Sequence, residues 1–148
     1  MDSSPAKILL VDDHQDTLDL FALVLTQAGN QVTPATTVDS ALKLVRERSF
    51  DLLILDTRIV DGSGIELCRL LRRDGNLTPV LFCSGMALEK NKRDALNAGA
   101  QGYLVKPVSV SVLCEAAAKL ISEFRKQPYK VADDVKRKTS GDLTASAF

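Results

Sequence analysis

Five short apolar runs, spaced about two dozen residues apart, restrict this chain more tightly than any other feature. They are Ile8-Leu9-Leu10-Val11, a weaker run around Val32, Leu52-Leu53-Ile54-Leu55, Val80-Leu81-Phe82-Cys83 and Tyr103-Leu104-Val105. Most are continuous rather than alternating, as strands covered on both faces require. Stretches of helical period separate them. Leu18, Phe21 and Leu25 share a face that stops at Gly29, and Val38, Ala41, Leu42 and Val45 follow the spacing i, i+3, i+4, i+7. Ser63 and Glu66 form a capping-box pattern ahead of Leu67, Cys68 and Leu71. The segment from Ala87 to Gly99 is the least apolar helix candidate, with Leu88, Ala95 and Leu96 as its expected anchors. Leu113, Ala117, Leu120 and Phe124 mark the last helix. Five β-strands alternating with five helices predict an α/β fold, (βα)5. Right-handed crossovers then cover both faces of a doubly wound, five-stranded parallel sheet.

The chain has 148 residues, of which 45% are hydrophobic, and its 19 Lys+Arg balance 19 Asp+Glu. That suits one globular domain and excludes a disordered or collagen-like chain. Zero net charge argues against a protein built to coat nucleic acid. The opening MDSSPAK lacks the basic and apolar regions of a signal peptide, and no apolar run reaches the roughly 20 residues that span a bilayer. A cytoplasmic protein with no membrane partner is expected. Cys68, Cys83 and Cys114 show no CxxC spacing, so they are expected to be reduced packing residues rather than a disulfide framework or zinc site. The apolar periodicity stops after Phe124. We therefore read 1–125 as the domain and 126–148 as a polar, basic tail or linker. From Arg125 onward the chain carries a net +3, against −3 before it.

Ligands of open α/β sheets bind beyond the carboxyl ends of the strands, near the reversal of strand order. The first run is followed by Asp12-Asp13, the third by Asp56, the fourth by Ser84-Gly85 and the fifth by Lys106-Pro107. An aspartate after a strand is commonly a helix cap or turn former. Four chemically capable ends on one edge point further. Clustered carboxylates repel unless a cation lies among them. An oxygen-only donor set favours a hard ion such as Mg²⁺ over zinc. A lysine and a hydroxyl opposite would hold phosphoryl oxygens, and one aspartate could attack phosphorus to give an acyl phosphate.

Leu9-Leu10-Val11-Asp12-Asp13, Leu53-Ile54-Leu55-Asp56, Phe82-Cys83-Ser84-Gly85 and Gly102-Tyr103-Leu104-Val105-Lys106-Pro107 together resemble the receiver domain of two-component response regulators. The resemblance spans roughly residues 5–125. It implies a flavodoxin-like sheet of strand order 2-1-3-4-5, with Asp56 accepting a phosphoryl group from a histidine kinase or histidine phosphotransfer protein. It also implies Mg²⁺ held by Asp12, Asp13, Asp56 and the backbone carbonyl of Arg58, and phosphoryl oxygens held by Ser84 and Lys106. Tyr103 matches the aromatic that changes rotamer with the serine, and the Lys106–Pro107 bond is typically cis in the family. Ile59-Val60 stand where Met-Pro is common, Ser63-Gly64 where Asp-Gly is common, and Gly85 where alanine is more frequent. None of these removes a reacting group.

The resemblance further implies a non-enzymatic signalling domain. Phosphorylation would reshape the surface of the fourth helix, fifth strand and fifth helix for a downstream protein or effector domain. Homodimerisation through the fourth and fifth helices is a further expectation, with no direct nucleic-acid binding by the receiver. Arg58, beside the line of water attack, reads either as a solvent-exposed loop charge or as a residue that alters the dephosphorylation rate, and His14 is expected to be an exposed residue at the start of the first helix. Two alternatives remain: a phosphorylation-independent pseudo-receiver, and a metal-dependent phosphatase working through an aspartyl phosphate. The second lacks the usual Asp two residues past the nucleophile, where Arg58 stands. No GxxxxGK[ST] motif supports a P-loop enzyme.

Overall fold

In the computed structural model, residues 4–127 are described. Five parallel strands, β1 (Lys7–Val11), β2 (Gln31–Ala35), β3 (Leu52–Leu55), β6 (Val80–Ser84) and β7 (Gly102–Val105), form one sheet. They alternate with α1 (Gln15–Gln27), α2 (Val38–Glu47), α3 (Gly64–Arg73), α4 (Glu89–Asn97) and α5 (Val110–Arg125). The order is β2-β1-β3-β6-β7, which is 2-1-3-4-5 when the sheet's strands are counted in chain order. A two-residue antiparallel ribbon, β4 (Arg58–Ile59) with β5 (Gly62–Ser63), follows β3 and was not foreseen.

The continuous apolar runs are the strands buried on both faces. Every residue of β3 and β6 is buried, as are the last four of β1. Side chains alternate between two cores. Leu9, Val11, Leu53, Leu55 and Phe82 face the α2, α3 and α4 side, packed with Ala41, Leu67, Leu71 and Ala95. Ile8, Leu10, Leu52, Ile54 and Leu81 face Leu18, Phe21 and Leu25 of α1 and Leu113 and Ala117 of α5. The weak second run is β2, which among the described residues pairs with β1 alone, and its Pro34 is tolerated on an edge strand.

Three helix readings are refined. In α4, Ala95 is buried, but Leu88 and Leu96 are 69% and 53% exposed and anchor nothing. This helix packs through its small residues, with Ala98 just beyond it also buried, while its large apolar side chains face outward. In α5, Ile121 is the third buried position; Leu120 and Phe124 are only half-buried. At α3, the Ser63 hydroxyl accepts from the backbone N–H groups of Ile65 and Glu66, which forms the serine half of the capping box. The Glu66 carboxylate does not complete it but pairs with Arg69.

The three cysteines are free, Cys68 and Cys83 buried and Cys114 half-buried. Burial pushes the Cys83 thiol up to about 11 against the counter-pull of Lys106, with Asp56 and Asp12 adding to the rise. Its ordinary value is 9.0, so between pH 9 and 11 the unfolded chain releases a proton that the folded chain keeps. Stability is therefore expected to fall as pH rises through that window, by about 2–3 kcal/mol from this thiol. Urea unfolding at pH 7, 9 and 11 checks this; Cys83→Ala should fall less steeply, and an identical slope would refute the assignment.

Candidate functional site

Register builds the site. Val11 pairs with Leu55 and Leu55 with Phe82, while Ser84 pairs with Val105. The residues that follow these ends must emerge together at the carboxyl edge. Three backbone bonds extend the ladders into the site: Asp12 N–H to the Ala35 carbonyl at 3.1 Å, Asp56 N–H to the Val11 carbonyl at 3.1 Å, and Lys106 N–H to the Ser84 carbonyl at 2.9 Å. Asp12 and Asp56 flank the β1–β3 boundary, where the strand order reverses.

The Lys106 ammonium joins them, donating to Asp12 Oδ2 at 2.6 Å and to Asp56 Oδ2 at 3.1 Å. Asp12 is 3% exposed and Asp56 9%. Two buried carboxylates side by side are costly without such a cation. Burial alone would lower the lysine's pKa, but hydrogen bonds and charge from the two aspartates outweigh it and hold the value above 10.5. Lys106 therefore carries its full charge at neutral pH. The Lys106–Pro107 bond is cis.

Asp13 and His14 extend the acidic edge outward. Donor atoms of Asp12, Asp13 and His14 lie within 4.8 Å of one another. The exposed His14 is the N-cap of α1; its N–H donates to Asp12 Oδ1 at 2.9 Å, and its Nδ1 is 3.2 Å from Asp13. Arg58 opens β4 with an exposed side chain, and its N–H lies 3.4 Å from Asp56 Oδ1. The structure thus gathers Asp12, Asp56 and Lys106 directly, with Asp13 beside Asp12. Hard oxygen donors dominate, a set suited to a small divalent cation such as Mg²⁺.

Ser84 is 1% exposed, and its hydroxyl is engaged with two groups the sequence did not single out. It lies 2.7 Å from Thr57 Oγ1, and it accepts from Met86 N–H at 3.1 Å. The Met86 carbonyl accepts from the half-buried Tyr103 hydroxyl at 2.5 Å. Tyr103 and Phe82 rings are in tilted contact, with centroids 6.1 Å apart. Thr57 carries a readable signal, a hydroxyl just past the run ending in Leu55, but threonine there also reads as ordinary strand material. Met86 contributes only backbone, which no side-chain pattern reveals. Asp61, also missed, caps α2: its carboxylate accepts from Val38 N–H at 2.7 Å and Asp39 N–H at 3.1 Å. These bonds tie the β4–β5 ribbon to α2 and hold the Asp61 carboxyl below its ordinary value.

A doubly wound sheet in this order, with a lysine-bridged acidic cluster at its switch point, is a flavodoxin-like domain of the CheY-like class. The family profile of the response regulator receiver domain matches residues 8–118. The uncharacterized transcriptional regulatory protein YrkP of Bacillus subtilis is 38% identical over 120 residues, covering 81% of this chain and 50% of the relative. The alkaline phosphatase synthesis transcriptional regulatory protein SphR of Synechococcus elongatus is 35% identical, covering 85% and 53%. A CheY-like receiver domain structure from Methanospirillum hungatei superposes with a TM-score of 0.80 at 30% identity, over 84% of this chain and 99% of that one. The chain belongs to the response regulator receiver family of two-component systems. It spans about half the length of the two transcriptional regulators named. No helix among the described residues is long and apolar enough to cross a membrane.

Proposed function

We propose that this chain is a phosphorylation-driven receiver whose acceptor is Asp56, and that 1–125 is its working unit. The observation that carries the reading is Lys106 clamped between the buried carboxylates of Asp12 and Asp56 at the sheet's switch point. In this reading an Asp56 oxygen attacks phosphorus. The bond from phosphorus to the donor's imidazole nitrogen breaks, and its electron pair stays with the imidazole of a histidine kinase or phosphotransfer protein. Asp12, Asp13, Asp56 and the Arg58 carbonyl would hold Mg²⁺, which when bound supplies charge neutralisation for the incoming phosphoryl oxygens. Lys106 and the Ser84 hydroxyl bind those oxygens, and Arg58 governs water access to the product.

The output face is α4, β7 and α5. Helix α4 is held by little apolar surface, and Asn91 Oδ1 on it is buried with no hydrogen-bond partner among the described residues, so its present seat is weakly favoured. The Ser84–Met86–Tyr103 bonds link that helix's leading loop to the site. Exposed Leu88 and Leu96 give a downstream protein, an effector domain or a second copy of the chain something apolar to read. A cytoplasmic location follows from kinase partnership.

The test is intact mass after incubation with a small acyl-phosphate donor. One phosphoryl adduct is expected with Mg²⁺ and none with a chelator. Absence of an adduct despite measured Mg²⁺ binding would refute self-catalysed uptake, and absence of both would overturn the reading. Followed over time, the Arg58→Ala adduct should decay at a rate different from wild type.

A further inference from the structure

The β3–β6 pairing ends at Leu55–Phe82, and beyond it Thr57, in the bend after β3, meets Ser84 at the end of β6. Both are buried, Thr57 at 6% and Ser84 at 1% exposure, and their hydroxyl oxygens are 2.7 Å apart. We propose that Thr57 is a positioning residue that latches Ser84, so that its hydroxyl sets how readily the domain adopts the conformer in which Ser84 contacts a phosphoryl oxygen. The inference rests on the assignment of Ser84 as the phosphoryl-contacting hydroxyl.

A serine hydroxyl has one proton and two lone pairs. One lone pair takes the Met86 N–H. The bond to Thr57 uses either the proton or the other lone pair. If Ser84 donates, the proton that a phosphoryl oxygen needs is committed to Thr57. If Thr57 donates, movement of Ser84 leaves the buried Thr57 hydroxyl without its acceptor. In both arrangements, engaging a phosphoryl group costs a buried hydrogen bond that an aliphatic residue at position 57 would not impose. The same movement pulls on Met86 and, through its carbonyl, on Tyr103. Thr57 is therefore the fixed end of a four-member chain running from the acceptor's neighbour to the proposed output face.

The experiment measures binding of beryllofluoride, a phosphoryl mimic that adds to a carboxylate, in the presence of Mg²⁺. Calorimetry on the whole chain compares wild type, Thr57→Val and Thr57→Ser. Thr57→Val keeps the β-branched shape and is expected to bind about three- to tenfold more tightly, the worth of one net hydrogen bond. Thr57→Ser restores the hydroxyl and should return affinity to within about twofold of wild type. Equal or weaker binding by Thr57→Val, with or without a lower melting temperature, would overturn the latch while leaving Asp56 phosphorylation intact. No binding by wild type would instead overturn the underlying reading, and the latch with it. Should Thr57→Val fail to fold, wild-type nuclear magnetic resonance decides. Beryllofluoride should shift both the Thr57 methyl and the Met86 amide, and an unmoved pair with saturated binding would refute the proposal.

Discussion

Asp56→Asn is expected to take up no phosphoryl group from an acyl-phosphate donor and Mg²⁺, while folding as wild type does. The amide has the shape of the carboxylate but neither its negative charge nor its nucleophilic oxygen, and attack on phosphorus needs both. The rest of the site tolerates the change. Lys106 keeps its shorter bond, to Asp12 at 2.6 Å, so neither the lysine nor the buried Asp12 is left uncompensated. The Arg58 N–H can still donate to an amide oxygen where it now faces Asp56 Oδ1. Stability should therefore change by no more than about 1.5–3 kcal/mol, the range for one hydrogen bond to a charged group. Intact mass and a urea unfolding curve on the same preparation separate the two effects. An adduct on the variant would move the acceptor elsewhere, Asp12 or Asp13 being the neighbouring carboxylates.

Which parts of this arrangement could be read from the chain depended on burial. Strands β1, β3 and β6 were legible because being covered on both faces demands a continuous apolar run, and such runs have few other causes. Strand β2, on the edge, gave only a weak signal for the converse reason. Asp12, Asp56 and Lys106 were legible because each is the first polar residue past a run, so register alone brings them together. Helix α4 misled because amphipathic patterning favours large apolar residues as the buried ones. Here the packing distance suits alanine, and Leu88 and Leu96 are left outside. The β4–β5 ribbon is too short to show a period. Thr57 and Met86 went unassigned for a different reason. Their part lies in a hydroxyl pairing between the segment after β3 and the end of β6 and in backbone groups, and neither leaves a spacing in the sequence.

Gly64→Ala is expected to be the most damaging single-methyl change near the site, costing about 3 kcal/mol or more in stability, at or beyond the usual cost of overpacking. A Cβ built at Gly64 would fall 2.0 Å from the Asp56 carbonyl oxygen and 3.1 Å from Phe82 Cε1. Neither neighbour can yield cheaply. The Asp56 peptide is held to β1 through its N–H bond to the Val11 carbonyl, and Phe82 is fully buried in a central strand. Relief must come from α3 backing away, which loosens Leu67, Cys68 and Leu71 and strains the Gly64 N–H bond to the Thr57 carbonyl. That bond and the Asp56 carbonyl belong to the segment that carries the acceptor. Phosphoryl uptake should therefore fall at least about tenfold, since misplacement by an ångström is enough to cost more. Gly62→Ala is the control two residues away, where the new methyl meets only the Val38 side chain at 3.4 Å. If both variants unfold at the wild-type urea concentration, the close approach of α3 to the acceptor loop is not tight. The glycine that opens α3 would then be kept for its backbone alone.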